Sequence, residues 1–356
     1  MSNIDYLKEL KDLIDISVSE GGSDIHLSSR SHPMVRVSGS LIPLVKKPIL
    51  SDEDVTAFCE VLMSSQQFTD FLKNKEMDFS YAHKDGVRFR GNAYFQKSSM
   101  AVALRHIPNK ILTLQELKLP PILETFAQRP QGFFLCVGPV GQGKSTTLAA
   151  LIQMINTTRA DHIVTIEDPI EYIYTPDMSL IEQREVRVDT ADFQIALNSA
   201  FRQDVDVIMV GEMRNSETIA TAVTAAETGH LVFSTLHTNS AAQTIDRIID
   251  SFPAGQQDQI RVQLASSLAG IFSQRLIPRI SGGLIPAYEL LINNSAVSNL
   301  IRERRTHEVQ TVIETGLEQG MIDMNRSLVD LVKKGEITVE NAFTYSTNPK
   351  GLERLI

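Results

Sequence analysis

Gly138-Pro139-Val140-Gly141-Gln142-Gly143-Lys144-Ser145 is the stretch on which the reading of this chain turns. It matches G-x-x-x-x-G-K-[ST] at every fixed position. It follows the apolar run Phe133-Phe134-Leu135-Cys136-Val137 and leads into Thr146-Thr147-Leu148-Ala149-Ala150-Leu151-Ile152. The pattern therefore predicts strand, loop and helix in that order. Gly138, Gly141 and Gly143 let the backbone curl until its N–H groups face one anion. The helix that follows adds its positive N-terminal end. Lys144 then reaches the β and γ phosphates of a triphosphate, and the Ser145 hydroxyl binds Mg2+. The candidate ATP-binding set is Gly138, Pro139, Val140, Gly141, Gln142, Gly143, Lys144, Ser145 and Thr146. A bland glycine-rich turn explains neither the Lys144-Ser145 pair nor the strand before it.

Phosphate chemistry also needs carboxylates, to organise the cation and to polarise water. Ile163-Val164-Thr165-Ile166 runs into Glu167-Asp168-Pro169-Ile170-Glu171, and Val207-Ile208-Met209-Val210 runs into Gly211-Glu212-Met213-Arg214. In both, an apolar strand delivers acids at its C-terminal end, the edge where open α/β sheets bind ligands. Glu212 is the candidate for organising Mg2+ and its waters, and Glu171 for activating the attacking water. His230 and His237 flank the run Leu231-Val232-Phe233-Ser234-Thr235-Leu236 and so bracket a strand. Their spacing leaves a structural role and γ-phosphate sensing equally open. Arg88 and Arg90 alternate onto one side of a presumed strand. With Arg105 they either coat a solvated face or complete a phosphate site.

Outward from this centre, 356 residues make two domains a reasonable expectation. Leu7, Leu10, Ile14 and Val18 mark one apolar face of a helix over residues 4–19, which Gly21-Gly22 ends. Short strands follow at residues 25–27, 34–37 and 41–44, the last after a Ser38-Gly39-Ser40 turn. Ser51 and Asp54 form a capping-box pattern that opens a helix to about Met63. Two more strands are predicted at 87–95 and 100–106, so residues 1–107 read as an α+β domain. Residues 108–131 hold four prolines and read as a linker with one short helix near 113–117. Residues 132–356 read as an α/β domain, its strands buried and parallel, turning mainly helical from about 252.

Hydrophobic residues at 42% and charged residues at 22% fit a soluble globular protein. No run approaches the roughly 20 apolar residues of a membrane-spanning helix, and no export segment is visible at the start. The net charge of −9 weighs against a nucleic-acid motor. Cys59 and Cys136 stand too far apart in sequence for a metal-binding pair and suit a reducing cytoplasm.

Together these residues resemble one family closely, the type IV pilus retraction ATPases of the PilT type, within the wider type II and type IV secretion ATPases. The resemblance spans nearly the whole chain. Its carriers are Ser23-Asp24-Ile25-His26-Leu27, the phosphate loop, the acidic stretch 165–171, Gln183-Arg184-Glu185-Val186, the stretch ending Gly211-Glu212-Met213-Arg214, and the histidine stretch 226–238. It implies a PAS-like N-terminal domain, a RecA-like P-loop ATPase domain and a cytoplasmic homohexamer at the inner face of the membrane. It further implies a membrane platform protein at the pilus base as partner, and a paralogous retraction ATPase as a further one. ATP and Mg2+ are the implied cofactors, and no nucleic acid is expected. By this likeness Glu171, Glu212, His230 and His237 are the family's acidic and histidine site residues.

Extension and type II secretion motors of the same superfamily carry an extra N-terminal domain and a four-cysteine zinc insert, and two cysteines cannot supply the latter. They remain the alternative, beside a hydrolysis-poor accessory retraction subunit. Ser295-Ala296-Val297-Ser298-Asn299-Leu300-Ile301-Arg302-Glu303 resembles the retraction family's Ala-Ile-Arg-Asn-Leu-Ile-Arg-Glu motif, with Val297 and Ser298 replacing Ile and Arg. The resemblance makes Ala296, Asn299, Leu300, Ile301, Arg302 and Glu303 the expected partner contact. Val140 and Gln142 also depart from the family's usual Thr and Ser without removing a phosphate ligand.

Overall fold

The computed structural model describes residues 5–37, 39–83, 86–107, 110–213 and 215–356. Ile4 of the first helix, Ser38 of the turn, Pro108 of the linker and Arg214 lie outside the described residues. The chain divides into two compact units. One holds residues up to Lys110 together with Pro169–Ile173; the other holds Ile111–Asp168 and Tyr174–Ile356.

The first unit runs α1 (Tyr6–Ser19), β1 (Gly22–Ser28), β2 (Met34–Val37), β3 (Ser40–Pro43), α2 (Asp52–Leu62), α3 (Ser65–Asn74), β4 (Glu76–Ala82), β5 (Arg88–Gln96) and β6 (Ser99–Ile107). Its six strands pair antiparallel in the order β3-β2-β1-β6-β5-β4. Leu10, Leu13 and Ile14 of α1, Phe58 and Cys59 of α2, and Phe71 of α3 form one core with Ile25, Leu27, Phe89, Ala93, Val102 and Leu104 of the sheet. The α2 capping box forms as read: Ser51 Oγ accepts the Asp54 N–H and the Asp54 carboxylate accepts the Ser51 N–H. A second box, Ser64 with Gln67, starts α3. That helix and β4 escape the sequence reading although Ser-x-x-Gln carries the same signature.

The second unit runs α4 (Glu124–Ala127), β7 (Gly132–Val137), α5 (Lys144–Thr158), β8 (His162–Glu167), β9 (Leu180–Glu185), α6 (Phe193–Ala200), β10 (Val207–Val210), α7 (Ser216–Glu227), β11 (Leu231–Leu236), α8 (Ala241–Asp250), α9 (Gln257–Ser267), β12 (Leu268–Pro278) and β13 (Leu284–Ile292). It ends with α10 (Ser295–Arg302), α11 (Val309–Thr315), α12 (Met324–Lys333), α13 (Val339–Tyr345) and α14 (Pro349–Glu353). The sheet order is β13-β12-β7-β11-β10-β8-β9, parallel except for β13. Every residue of β7, β10 and β11 is buried, which is why β7 and β10 read as unbroken apolar segments and β11 as one up to Phe233.

Two expectations are adjusted. The region from about 252 is mainly helical as read, but it also holds β12 and β13, an eleven- and a nine-residue strand paired as an antiparallel hairpin. Ser273, Gln274 and Arg275 interrupt the apolar run of β12, yet all three are buried. The short helix near 113–117 is a turn, in which the Thr113 and Glu116 side chains bond each other's backbone N–H. Among the described residues no helix is long and apolar enough to cross a membrane.

In the first unit, Phe79 of β4 lies opposite Gly91 of β5, its ring covering the space a Cβ would need. Gly91→Ala is expected to push that buried ring aside and destabilise the chain by about 1–3 kcal/mol. A thermal melt checks this; an unchanged midpoint would mean the ring relocates without cost.

Candidate functional site

The loop after β7 uses backbone conformations that side chains resist. Gly138, Gly141 and Gly143 have φ of +146°, +76° and +77°. A Cβ on Gly138 would stand 2.5 Å from the Gln274 carbonyl oxygen, and one on Gly143 would stand 2.9 Å from Gln274 Nε2. Both glycines are therefore dictated by close approach to β12 as well as by dihedral angle. Gly143 is the N-cap of α5 and offers no side-chain cap. The first-turn N–H groups thus face the loop, a natural anion seat.

Lys144, 7% exposed, donates from Nζ to the carbonyls of Gly138 and Pro139, each at 2.9 Å. Ser145 and Thr146 follow, both partly exposed, while Val140 projects from the loop tip at 80% exposure. Gln142 is bound to the sheet: its Oε1 accepts the Leu276 N–H at 2.7 Å.

β7, β11 and β10 are neighbours in the sheet, so their C-terminal ends bring Lys144, His237 and Glu212 to one edge. His237 Nδ1 stands 3.4 Å from Lys144 Nζ, and its Nε2 stands 4.0 Å from Glu212 Oε2. Thr235 donates to the Gly211 carbonyl and Ser234 to that of Val210, tying the two strand ends together. Glu212, Thr235, His237, Thr238, Gln243 and Arg247 line a cleft of about 460 Å³. Mg2+ takes one or two protein ligands and fills its octahedron with phosphate oxygens and water. A helix-start hydroxyl, Ser145, and a strand-end carboxylate, Glu212, suit that demand.

His230 precedes β11 and His237 follows it, so the strand holds them roughly 20 Å apart. His230 sits at the opposite sheet edge, its Nδ1 against the Ala225 carbonyl and its ring edge-on to Phe201. Of the pair, the chain's own loop is reached by His237 and not by His230. Arg105 is paired with Asp24 at 2.9 Å, and burial of the acid makes that a structural tie. Arg88 and Arg90 share the face of β5 away from the helices, as alternation requires. Glu171 falls in the first unit with Arg90, 3.9 Å away and well solvated, so the pair itself adds little stability. Pro169 separates it from Glu167, which ends β8 buried and accepts from Thr165 Oγ1.

On α10, Ala296, Asn299, Arg302 and Glu303 are exposed, whereas Leu300 and Ile301 belong to the core. The expected partner contact is corrected accordingly: the last two cannot reach a partner from inside. Val297 is buried and Ser298 bonds Ala265 and Asn293, so both departures from the family motif face inward.

Sequence reasoning missed Gln274 and Arg247. The available signal for Gln274 was a polar triplet, Ser-Gln-Arg, inside an otherwise apolar strand.

Residues 7–284 match the family model of the type II/IV secretion system protein. The type IV pilus retraction ATPase PilT of Pseudomonas aeruginosa is 44% identical over 334 residues, 94% of this chain and 97% of that protein. A twitching motility protein of Neisseria gonorrhoeae is 46% identical over 90% of this chain and 86% of its own. The crystal structure of the pilus retraction motor PilT with bound ADP superposes with a TM-score of 0.90 at 45% identity, covering 96% of this chain and 98% of that one. The chain belongs to the type II/IV secretion system protein family, a class of P-loop ATPases. Within that class it belongs with the pilus retraction ATPases of the PilT type.

Beneath the His237 loop, Glu289 of β13 is 3% exposed and accepts the Ala241 N–H at the start of α8. Burial pushes its carboxyl from 4.5 up to about 7; Asp323 and Glu314 add to the rise, while the Ala241 N–H and Gln310 oppose it. A raised folded-state pKa favours folding fully below about 4.5 and loses that contribution as pH climbs through 7. Wild type should therefore lose up to about 3 kcal/mol from this group between pH 5 and 8. Glu289→Gln keeps an acceptor for Ala241 and removes the titration. Urea unfolding across that range should show the variant gaining on wild type as pH rises.

Proposed function

We propose that this chain is the ATP-hydrolysing subunit of a homohexameric motor that retracts type IV pili. The phosphate loop carries the reading: an intact cradle whose lysine, histidine and carboxylate converge from three adjacent strand ends. Similarity to retraction motors along nearly the full length supports assigning that chemistry to pilus disassembly. In this reading the first unit is PAS-like and the second RecA-like. The ring works at the inner face of the membrane on a platform protein, alone or with a paralogous retraction subunit. The exposed α10 side chains Ala296, Asn299, Arg302 and Glu303 face the partner.

The residues divide the work of phosphoryl transfer. Loop N–H groups and the α5 terminus hold the β and γ phosphates, and Lys144 moves from carbonyl partners to phosphate oxygens as negative charge gathers there. Ser145 and Glu212 would hold Mg2+, the latter partly through water, and the cation would supply positive charge to offset part of that gathering on the phosphates. Glu171 orients the attacking water and takes its proton. His237 reports on the γ phosphate from its place beside Lys144. Arg88 and Arg90 supply guanidinium groups for developing phosphate charge. Arg105 and His230 take supporting positions.

Lys144→Ala should lower Mg-dependent phosphate release by about a hundredfold or more. Glu171→Ala should do so while still binding nucleotide. In a deletion strain, wild type should restore twitching, and Glu171→Ala should leave excess unretracted pili. A deletion strain without pili would refute retraction as the function.

A further inference from the structure

β12 passes beneath both working loops. On one side Gln274 donates from Nε2 to the Gln142 carbonyl at 2.8 Å and accepts from Thr147 Oγ1 at 2.7 Å. Leu276 gives its N–H to the Gln142 side chain. On the other side Ser273 Oγ donates to the Asn239 carbonyl at 3.0 Å, and Arg275 Nη2 donates to Asn239 Oδ1 at 2.9 Å. Strand alternation sends 274 and 276 to one face, 273 and 275 to the other. Asn239 stands two residues beyond His237, and Gln142 two residues before Lys144. Stability alone gives a poor account of this arrangement. Arg275 is 9% exposed and one terminal nitrogen lacks a hydrogen-bond partner, a costly way to fill a core.

We propose that β12 is the positioning strand of the ATPase site. Gln274 sets the phosphate loop, Arg275 sets the His237 loop, and one backbone keeps the two in register. Neither residue touches the reacting atoms; each acts through a loop that does. The inference rests on the reading of the loop as a hydrolytic ATP site. Its consequence is a division of labour: Gln274 governs how well nucleotide is held, and Arg275 how well the γ-phosphate side is aligned.

The experiment is steady-state phosphate release by the full chain against ATP concentration with Mg2+. Gln274→Leu keeps volume and removes both bonds; KM should rise about tenfold with kcat within threefold. Arg275→Met should lower kcat about tenfold with KM within threefold. Asn239→Ala, at an exposed residue, should repeat the Arg275→Met pattern. Gln142→Ala should raise KM about threefold. These last two keep each arm testable where the core variant fails to fold. In a His237→Ala background, Asn239→Ala should add less than twofold, since its effect runs through that histidine. Parameters within twofold of wild type in all four single variants, or the same parameter moving in both arms, would overturn the proposal. So would full additivity with His237→Ala. Retained hydrolysis in Lys144→Ala would instead remove the underlying ATPase reading, so the two failures are distinguishable.

Discussion

A row of backbone N–H groups aimed at one point is unfavourable unless an anion or polar partner meets it, and the site is organised around that constraint. Residues 138–143 hold this geometry through three glycines with positive φ. The loop cannot relax inward, because the Gln274 backbone fills the space beneath Gly138, and the Gln274 and Leu276 side chains fill that beneath Gly143. The uncapped start of α5 then adds the helix dipole to the same point. Lys144 completes a strongly positive pocket whose own carbonyls keep the ammonium in place. All of this depends on parallel strands ending side by side, which the apolar core beneath them enforces.

That core and the site are built from different material. The core-facing residues of β7, β10 and β11, such as Phe133, Leu135, Ile208, Val210 and Val232, are aliphatic or aromatic and bury apolar surface together with the flanking helices. β12 departs from its neighbours by burying Ser273, Gln274 and Arg275 in succession. Each finds a hydrogen-bond partner on a loop. A buried polar group so satisfied adds little net stability but penalises every alternative placement of its partner. The second unit therefore gains folding energy from one set of strands and loop precision from another.

Much of this was legible in residue order. The phosphate loop, the strands at 34–37 and 207–210 and the Ser51 capping box stand where local rules place them, because each depends on neighbours within a few residues. β12 was not legible: periodicity cannot distinguish a polar triplet facing two loops from the polar side of a helix. β9, at the sheet edge with exposed Leu180, had too weak an apolar pattern. The two histidines looked equivalent in sequence, and only strand direction separates His237 at the loop from His230 at the far edge. The partner-contact stretch mixed helix faces for the same reason. Eight residues of α10 present both sides of a cylinder, and the buried set emerges only once α9 packs against it.

The alternation of β12 makes that strand intolerant of changes in length. Removing one residue just before Gln274 would turn each following side chain to the opposite face. The guanidinium would then be aimed at α5, and the amide at the turn before α8. Substitutions can drift there within limits of size and polarity, but insertions and deletions cannot. Variation in chain length must gather in the solvent-exposed turn at Gly282-Gly283, where the hairpin reverses and added residues leave the register upstream untouched.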